Sequence, residues 1–84
     1  MKDLMLDDKM DMLVYIIKDF LKKKNIVCNI TYNDLEETDD TYIMLIQIKD
    51  YAKIYFVNKQ KLKDNLAIDL AEYILRGLNI DLEF

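Results

Sequence analysis

The chain has 84 residues, 16 acidic against 12 basic side chains, a net charge of −4 and 52% hydrophobic content. That length is about one small domain, read as residues 1–84, and the apolar content is enough to offset the ordering entropy that keeps polar chains unfolded. The negative charge disfavours broad affinity for nucleic acid or anionic lipid, and no apolar stretch approaches the roughly 18 residues that cross a bilayer.

The first helix is predicted from about Asp8 to Lys23, because Met10, Leu13, Val14, Ile17, Phe20 and Leu21 recur at three- and four-residue spacing. Asp7 or Asp8 is its expected cap, and the sequence leaves open whether Met1 to Leu6 is ordered. Lys22, Lys23 and Lys24 close it, where the helix dipole favours cations. Strand one follows over Ile26 to Tyr32, alternating and β-branched, with Ile26, Cys28, Ile30 and Tyr32 on one face.

Asn33 to Asp40 reads as a polar surface connection. Strand two spans Thr41 to Lys49 with Tyr42, Met44, Ile46 and Ile48 inward, and Asp50 with a neighbour makes a tight turn. In strand three, Ala52, Ile54 and Phe56 alternate with Lys53, Tyr55 and Val57. The expected outward apolar set of strands two and three is Ile43, Leu45, Tyr55 and Val57, a patch of the kind that marks partner sites. A second helix is predicted from an Asn58 cap to about Arg76, with Leu62, Leu66, Leu70, Tyr73 and Ile74 as its core stripe and Gly77 past its end. Leu78 to Phe84 alternates through seven residues and reads as a short fourth strand. The expected fold is therefore α+β, in the order α-β-β-β-α-β, an antiparallel three-stranded meander with two helices on one face.

The absences narrow the chemistry. The chain has no His, Ser, Pro or Trp, and one Cys, Cys28. A nucleophilic triad needs Ser or Cys beside a base, and Cys28 has no imidazole to activate it. A structural zinc site needs about four nitrogen or sulfur ligands, and phosphate-cradling loops need clustered glycines where Gly77 stands alone. The expectation is a protein that is not an enzyme and holds no cofactor or metal. Cys28 alone forms no internal disulfide, and the N-terminus places acids before any apolar run, so a reducing, cytoplasmic setting is expected. Cys28 itself reads as a small buried hydrophobe with an inert thiol.

The most distinctive local feature is acidic: Asp34, Glu36, Glu37, Asp39 and Asp40 place five carboxylates within seven residues. A calcium loop needs a glycine at its sharp turn and a bidentate acid at its end, which this stretch lacks. Two readings stand. With Tyr32 and Tyr42 flanking them, the carboxylates imitate the spaced charge of a nucleic-acid backbone and occupy a partner's basic groove, or they are a solvated connection. Lys59, Lys61 and Lys63 start the second helix, where the dipole disfavours cations, and the meander places them at the acidic end, where they neutralise it or bind anions. The opposite end gathers Lys22, Lys23, Lys24, Lys49 and Arg76. Six tyrosines against three phenylalanines suit either an interface or simple strand propensity.

Lys59-Gln-Lys-Leu-Lys-Asp-Asn-Leu-Ala67 loosely resembles the lysine-bearing second-helix start of double-stranded RNA-binding domains, whose order is also helix, three strands, helix. The resemblance covers about a dozen residues. It implies Lys59, Lys61 and Lys63 as phosphate contacts, while the acidic net charge opposes shape-based phosphate binding. The leading expectation is a small acidic protein-binding module that acts by covering a surface, an inhibitor or adaptor of the kind a phage or mobile element encodes against host nucleic-acid-handling machinery. Its contacts would be Asp34, Glu36, Glu37, Asp39, Asp40, Tyr32 and Tyr42, and its partner a protein with a basic surface. The alternatives are an RNA-binding domain, or a self-associating subunit that dimerises through the sheet face or the C-terminal strand.

Overall fold

A computed structural model describes residues 4–34 and 40–78. Helix α1 (Leu4–Lys23) leads into strands β1 (Cys28–Asp34), β2 (Thr41–Ile48) and β3 (Tyr51–Asn58), followed by helices α2 (Lys59–Asp64) and α3 (Ala67–Arg76). The strands form one antiparallel sheet in the order β1-β2-β3. The helices cover one of its faces, and the core lies between, as expected for an α+β domain.

Helix α1 begins about a turn earlier than the periodicity suggested. Its buried stripe is Leu6, Met10, Leu13, Ile17 and Leu21, so Leu6 extends the repeat toward the N-terminus. Asp7 is thereby a first-turn residue, where the positive end of the dipole favours an anion. The helix stops at Asn25, whose φ of 61° is left-handed. Its N–H reaches Lys22 O at 2.9 Å, and the Ile26 N–H reaches Leu21 O at 2.9 Å. This is the Schellman closure that asparagine tolerates. β1 consequently starts at Cys28, two residues later than predicted, and runs on to Asp34.

The turn between β2 and β3 corrects the expected facing of β3. Lys49 and Asp50 form a two-residue connection, with Lys49 at φ 52°, so Ile48 pairs with Tyr51, Ile46 with Lys53, Met44 with Tyr55 and Tyr42 with Val57. Paired residues share a face. Val57, Tyr55 and Lys53 therefore point toward the helices, and Ala52, Ile54 and Phe56 point away, the reverse of the expectation. Val57 is 7% exposed and Phe56 69%.

The single second helix is also corrected, because it is broken at Asn65–Leu66. Asn58 caps α2 through its side-chain oxygen, which accepts from Gln60 N–H at 2.9 Å and Lys61 N–H at 3.1 Å. Seven residues later Asn65 ends it, its side-chain amide and its main-chain N–H both donating to Lys61 O, at 2.9 and 3.1 Å. The break resets the helical phase. Leu62 stays buried, but α3 buries Ala67, Ala71, Ile74 and Leu75, while Leu66 and Tyr73 of the expected stripe are exposed. Leu78 is buried in the turn after α3. The rest of the predicted fourth strand, residues 79–84, lies outside the described residues.

The core joins the α1 stripe to Ile30, Tyr42, Met44, Ile46, Ile48 and Val57 of the sheet and to Leu62, Ala71, Ile74, Leu75 and Leu78. Each large aliphatic side chain removed from water contributes roughly 1.5–3 kcal/mol. Ala71, fully buried, lets α3 approach α1 closely. No helix among the described residues is long and apolar enough to cross a membrane.

Candidate functional site

The acidic stretch is held at both ends by one residue. Asp34 is the last residue of β1 and Asp40 immediately precedes β2. Lys59, the first residue of α2, sets its Nζ 2.9 and 3.1 Å from the two carboxylate oxygens of Asp34, and its main-chain N–H donates to Asp40 O at 2.8 Å. The same ammonium lies 5.2 Å from the centre of the Tyr42 ring, a distance at which the ring face attracts a cation. Lys59 and Asp34 are both largely sheltered, at 14% and 26% side-chain exposure, so this pair is less screened than a surface ion pair. The expected neutralisation of the acidic end by a lysine from the second helix is thus present for Lys59 and Asp34. Lys61 and Lys63 stay exposed on α2. Glu36, Glu37 and Asp39 lie outside the described residues, and Asp40 is exposed.

Tyr32 and Tyr42 are engaged within the fold. The Tyr42 hydroxyl donates to Asp7 Oδ1 at 2.6 Å, and the Tyr32 hydroxyl donates to Asp11 Oδ1 at 2.5 Å. The rings meet edge to face, with centroids 5.8 Å apart and planes at 82°. Tyr42 is only 2% exposed, which leaves it no surface for a partner, whereas Tyr32 is half-buried. Burial first, then the hydrogen bond to Asp11 and the nearby carboxylates, pushes the Tyr32 hydroxyl up to about 12. Tyr42 is raised in the same way, by burial first and then by its bond to Asp7. Sequence reasoning missed Asp7 and Asp11 as the tyrosines' partners. The signal was there in their spacing of four, which puts both carboxylates on one face of α1.

At the opposite end, β1 starts beside the β2-β3 turn because Cys28 pairs with Ile48. Lys23 pairs with Asp19 at 3.1 Å, and Lys24 lies over the Phe20 ring at 5.9 Å. Cys28 is half-buried on the helix side, and burial raises its thiol above the ordinary value.

The face of the sheet that no described helix covers is the second surface of note. Register puts its side chains in rows across the three strands: Asn33, Ile43 and Phe56; Thr31, Leu45 and Ile54; Asn29, Gln47 and Ala52; with Thr41 beside Asn58 at the end. None of the eleven is charged, in a chain where a third of residues are. The middle of the β2-β3 half is apolar, with Phe56 at 69% and Ile54 at 57% exposure, Thr41, Asn58 and Gln47 stand at its ends, and the β1 half carries amides and a hydroxyl. The sequence located half of this patch, Ile43 and Leu45, and exchanged the other half for Tyr55 and Val57.

Between β3 and α3, a groove of about 670 Å³ is lined by Ile54 to Val57 on one side and by Asp69, Leu70, Tyr73 and Ile74 of α3 on the other. Among the described residues no cluster of three or more Asp, Glu or Cys side chains is arranged to hold a metal ion. Comparison with known family profiles, curated proteins and solved structures finds no match to the chain.

Proposed function

We propose that the protein is a small acidic protein-binding module that acts by occupying a basic surface of another protein, as an inhibitor or adaptor. One observation carries this reading: Lys59 ties Asp34 and Asp40 to the start of α2, so both ends of the acidic stretch are fixed points. A segment anchored in this way loses less conformational freedom when it docks than a free tail does. Its carboxylates suit a groove built to hold a nucleic-acid backbone, and the partner class is a protein with such a groove. Asp34 and Tyr42 serve as anchors in this reading, and the contacts fall to Asp40, Glu36, Glu37 and Asp39.

The test is affinity capture from lysate of the native cell or host at moderate salt. A wild-type bait and a bait with Glu36, Glu37, Asp39 and Asp40 changed to Gln or Asn are compared. The expected result is one basic protein held by the first and lost by the second, and displaced by added polyanion. If RNA is captured instead, and is lost when Lys61 and Lys63 become Glu, the RNA-binding alternative replaces this reading. A partner retained by the neutralised bait removes the acidic stretch from the interface.

A further inference from the structure

We infer that the uncovered sheet face binds a second copy of this chain, making a face-to-face homodimer. The argument is independent of the acidic stretch and begins with charge. A chain at −4 repels its own copies, and the described outer surfaces of α1, α2 and α3 all carry charged side chains. The sheet face carries none, so it is the one described face on which two copies meet without pairing or burying charge. A partner chosen by electrostatic complementarity would find nothing here to match. A second copy brings an equal uncharged face, with the same apolar centre and the same polar margin, the anatomy of protein interfaces generally.

Geometry sets the arrangement. Stacked sheets pack about 10 Å apart with their strands nearly aligned. A two-fold axis lying between the sheets and perpendicular to the strands places β2 and β3 of one copy on β2 and β3 of the other, so that apolar half meets apolar half. Ile54 and Phe56 then leave water, and the Thr31 side of each face meets its counterpart. Three strands of up to eight residues cover a footprint of roughly 14 by 27 Å. That is about 400 Å², below the roughly 800 Å² per partner of a standard stable interface, so association is of micromolar rather than nanomolar strength.

Sedimentation velocity from roughly micromolar to millimolar concentration measures this directly. The wild type is expected to pass from monomer to dimer across that range, and added salt is expected to leave the dimer intact or strengthen it by screening the repulsion between like-charged copies. Phe56→Glu and, separately, Thr31→Arg are expected to weaken association at least about tenfold, a loss of 1.4 kcal/mol, with unchanged circular dichroism. Both positions are exposed, and two variants on different strands guard against one that misfolds. A wild type that stays monomeric throughout overturns the inference. So does a dimer unaffected by either substitution, or a monomer that dimerises only after residues 79–84 are deleted, which would show that the chain covers this face itself. None of these outcomes decides the capture experiment on the acidic stretch, whose interface weakens with salt.

Discussion

The ammonium of Lys59 sits between the carboxylate of Asp34 and the ring face of Tyr42, 2.9 Å from one and 5.2 Å from the centre of the other. Its neighbours reach it from β1 and β2, so one side chain joins the first turn of α2 to two strands. Lys59→Met keeps the stem and removes the charge, leaving Asp34 sheltered without its cation. Breaking a partly sheltered pair from one side costs more than an exposed pair is worth. The expected loss is about 1–3 kcal/mol in chemical denaturation. A double-mutant cycle with Asp34→Asn should return a coupling of about 1 kcal/mol, and additive losses would show that the two side chains do not interact.

The tyrosine-aspartate pairs predict alkaline sensitivity. Tyr32 and Tyr42 act as neutral donors to Asp11 and Asp7, and ionisation would set a phenolate against a carboxylate. The folded value of Tyr32, about 12, lies above its ordinary value of 10.0. Its contribution is therefore fully present below pH 10 and is lost as pH rises through about 12. Urea midpoints across that window should fall less steeply in Tyr32→Phe than in the wild type. At neutral pH, Tyr42→Phe should cost about 1.5–3 kcal/mol, the range for a hydrogen bond to a charged group.

The facing of β3 is tested by two adjacent positions. Val57→Glu places an unpaired carboxylate in the core and should destabilise by several kcal/mol or prevent folding. Phe56→Glu, one residue away on the open face, should change monomer stability by less than about 1 kcal/mol at high dilution. Equal losses at the two sites would contradict the register.

Asn65 should matter more than its exposure suggests. Asn65→Ala removes the side-chain bond to Lys61 O, and a loss of about 1 kcal/mol is expected by analogy with other caps. Leu66 and Tyr73 should remain accessible, as read by limited proteolysis and tyrosine fluorescence. A gain of helix in far-UV circular dichroism would mean that Asn65 alone separates α2 from α3.

The elements themselves were legible because their signals are local. The period of Met10, Leu13, Ile17 and Leu21 marks α1, and Asn58 marks the start of α2. What depended on register or competition was less so. Any two-residue connection, Lys49-Asp50 or Asp50 with its other neighbour, sets the odd-numbered residues of β3 opposite the even-numbered inward residues of β2, so the facing of β3 followed from the expected turn itself and was assigned the wrong way round. Leu62, Leu66, Leu70 and Tyr73 fit an unbroken helix well, and the break falls where the side chain of Asn65 competes for a main-chain carbonyl. In the site, five carboxylates are plain in the sequence. That Lys59 would hold both ends of their segment, and that Asp7 and Asp11 would take up the two tyrosine hydroxyls, required contacts between residues 19 to 35 positions apart.

Lys53 is the one charged side chain that β3 turns toward the helices. It donates to Gly77 O at 2.7 Å and lies over the Tyr55 ring at 5.4 Å, while the other edge of its strand has no neighbour in the sheet among the described residues. A free edge invites further strands to add without limit, the route to fibres. Any strand laid along β3 would run past this lysine, the third residue of the strand. In the inferred pairing two copies complete the assembly on the flat of the sheet, whereas growth along its margin meets a cation at the second or third rung. One lysine thus bears on whether the protein stops at a countable number of chains or polymerises.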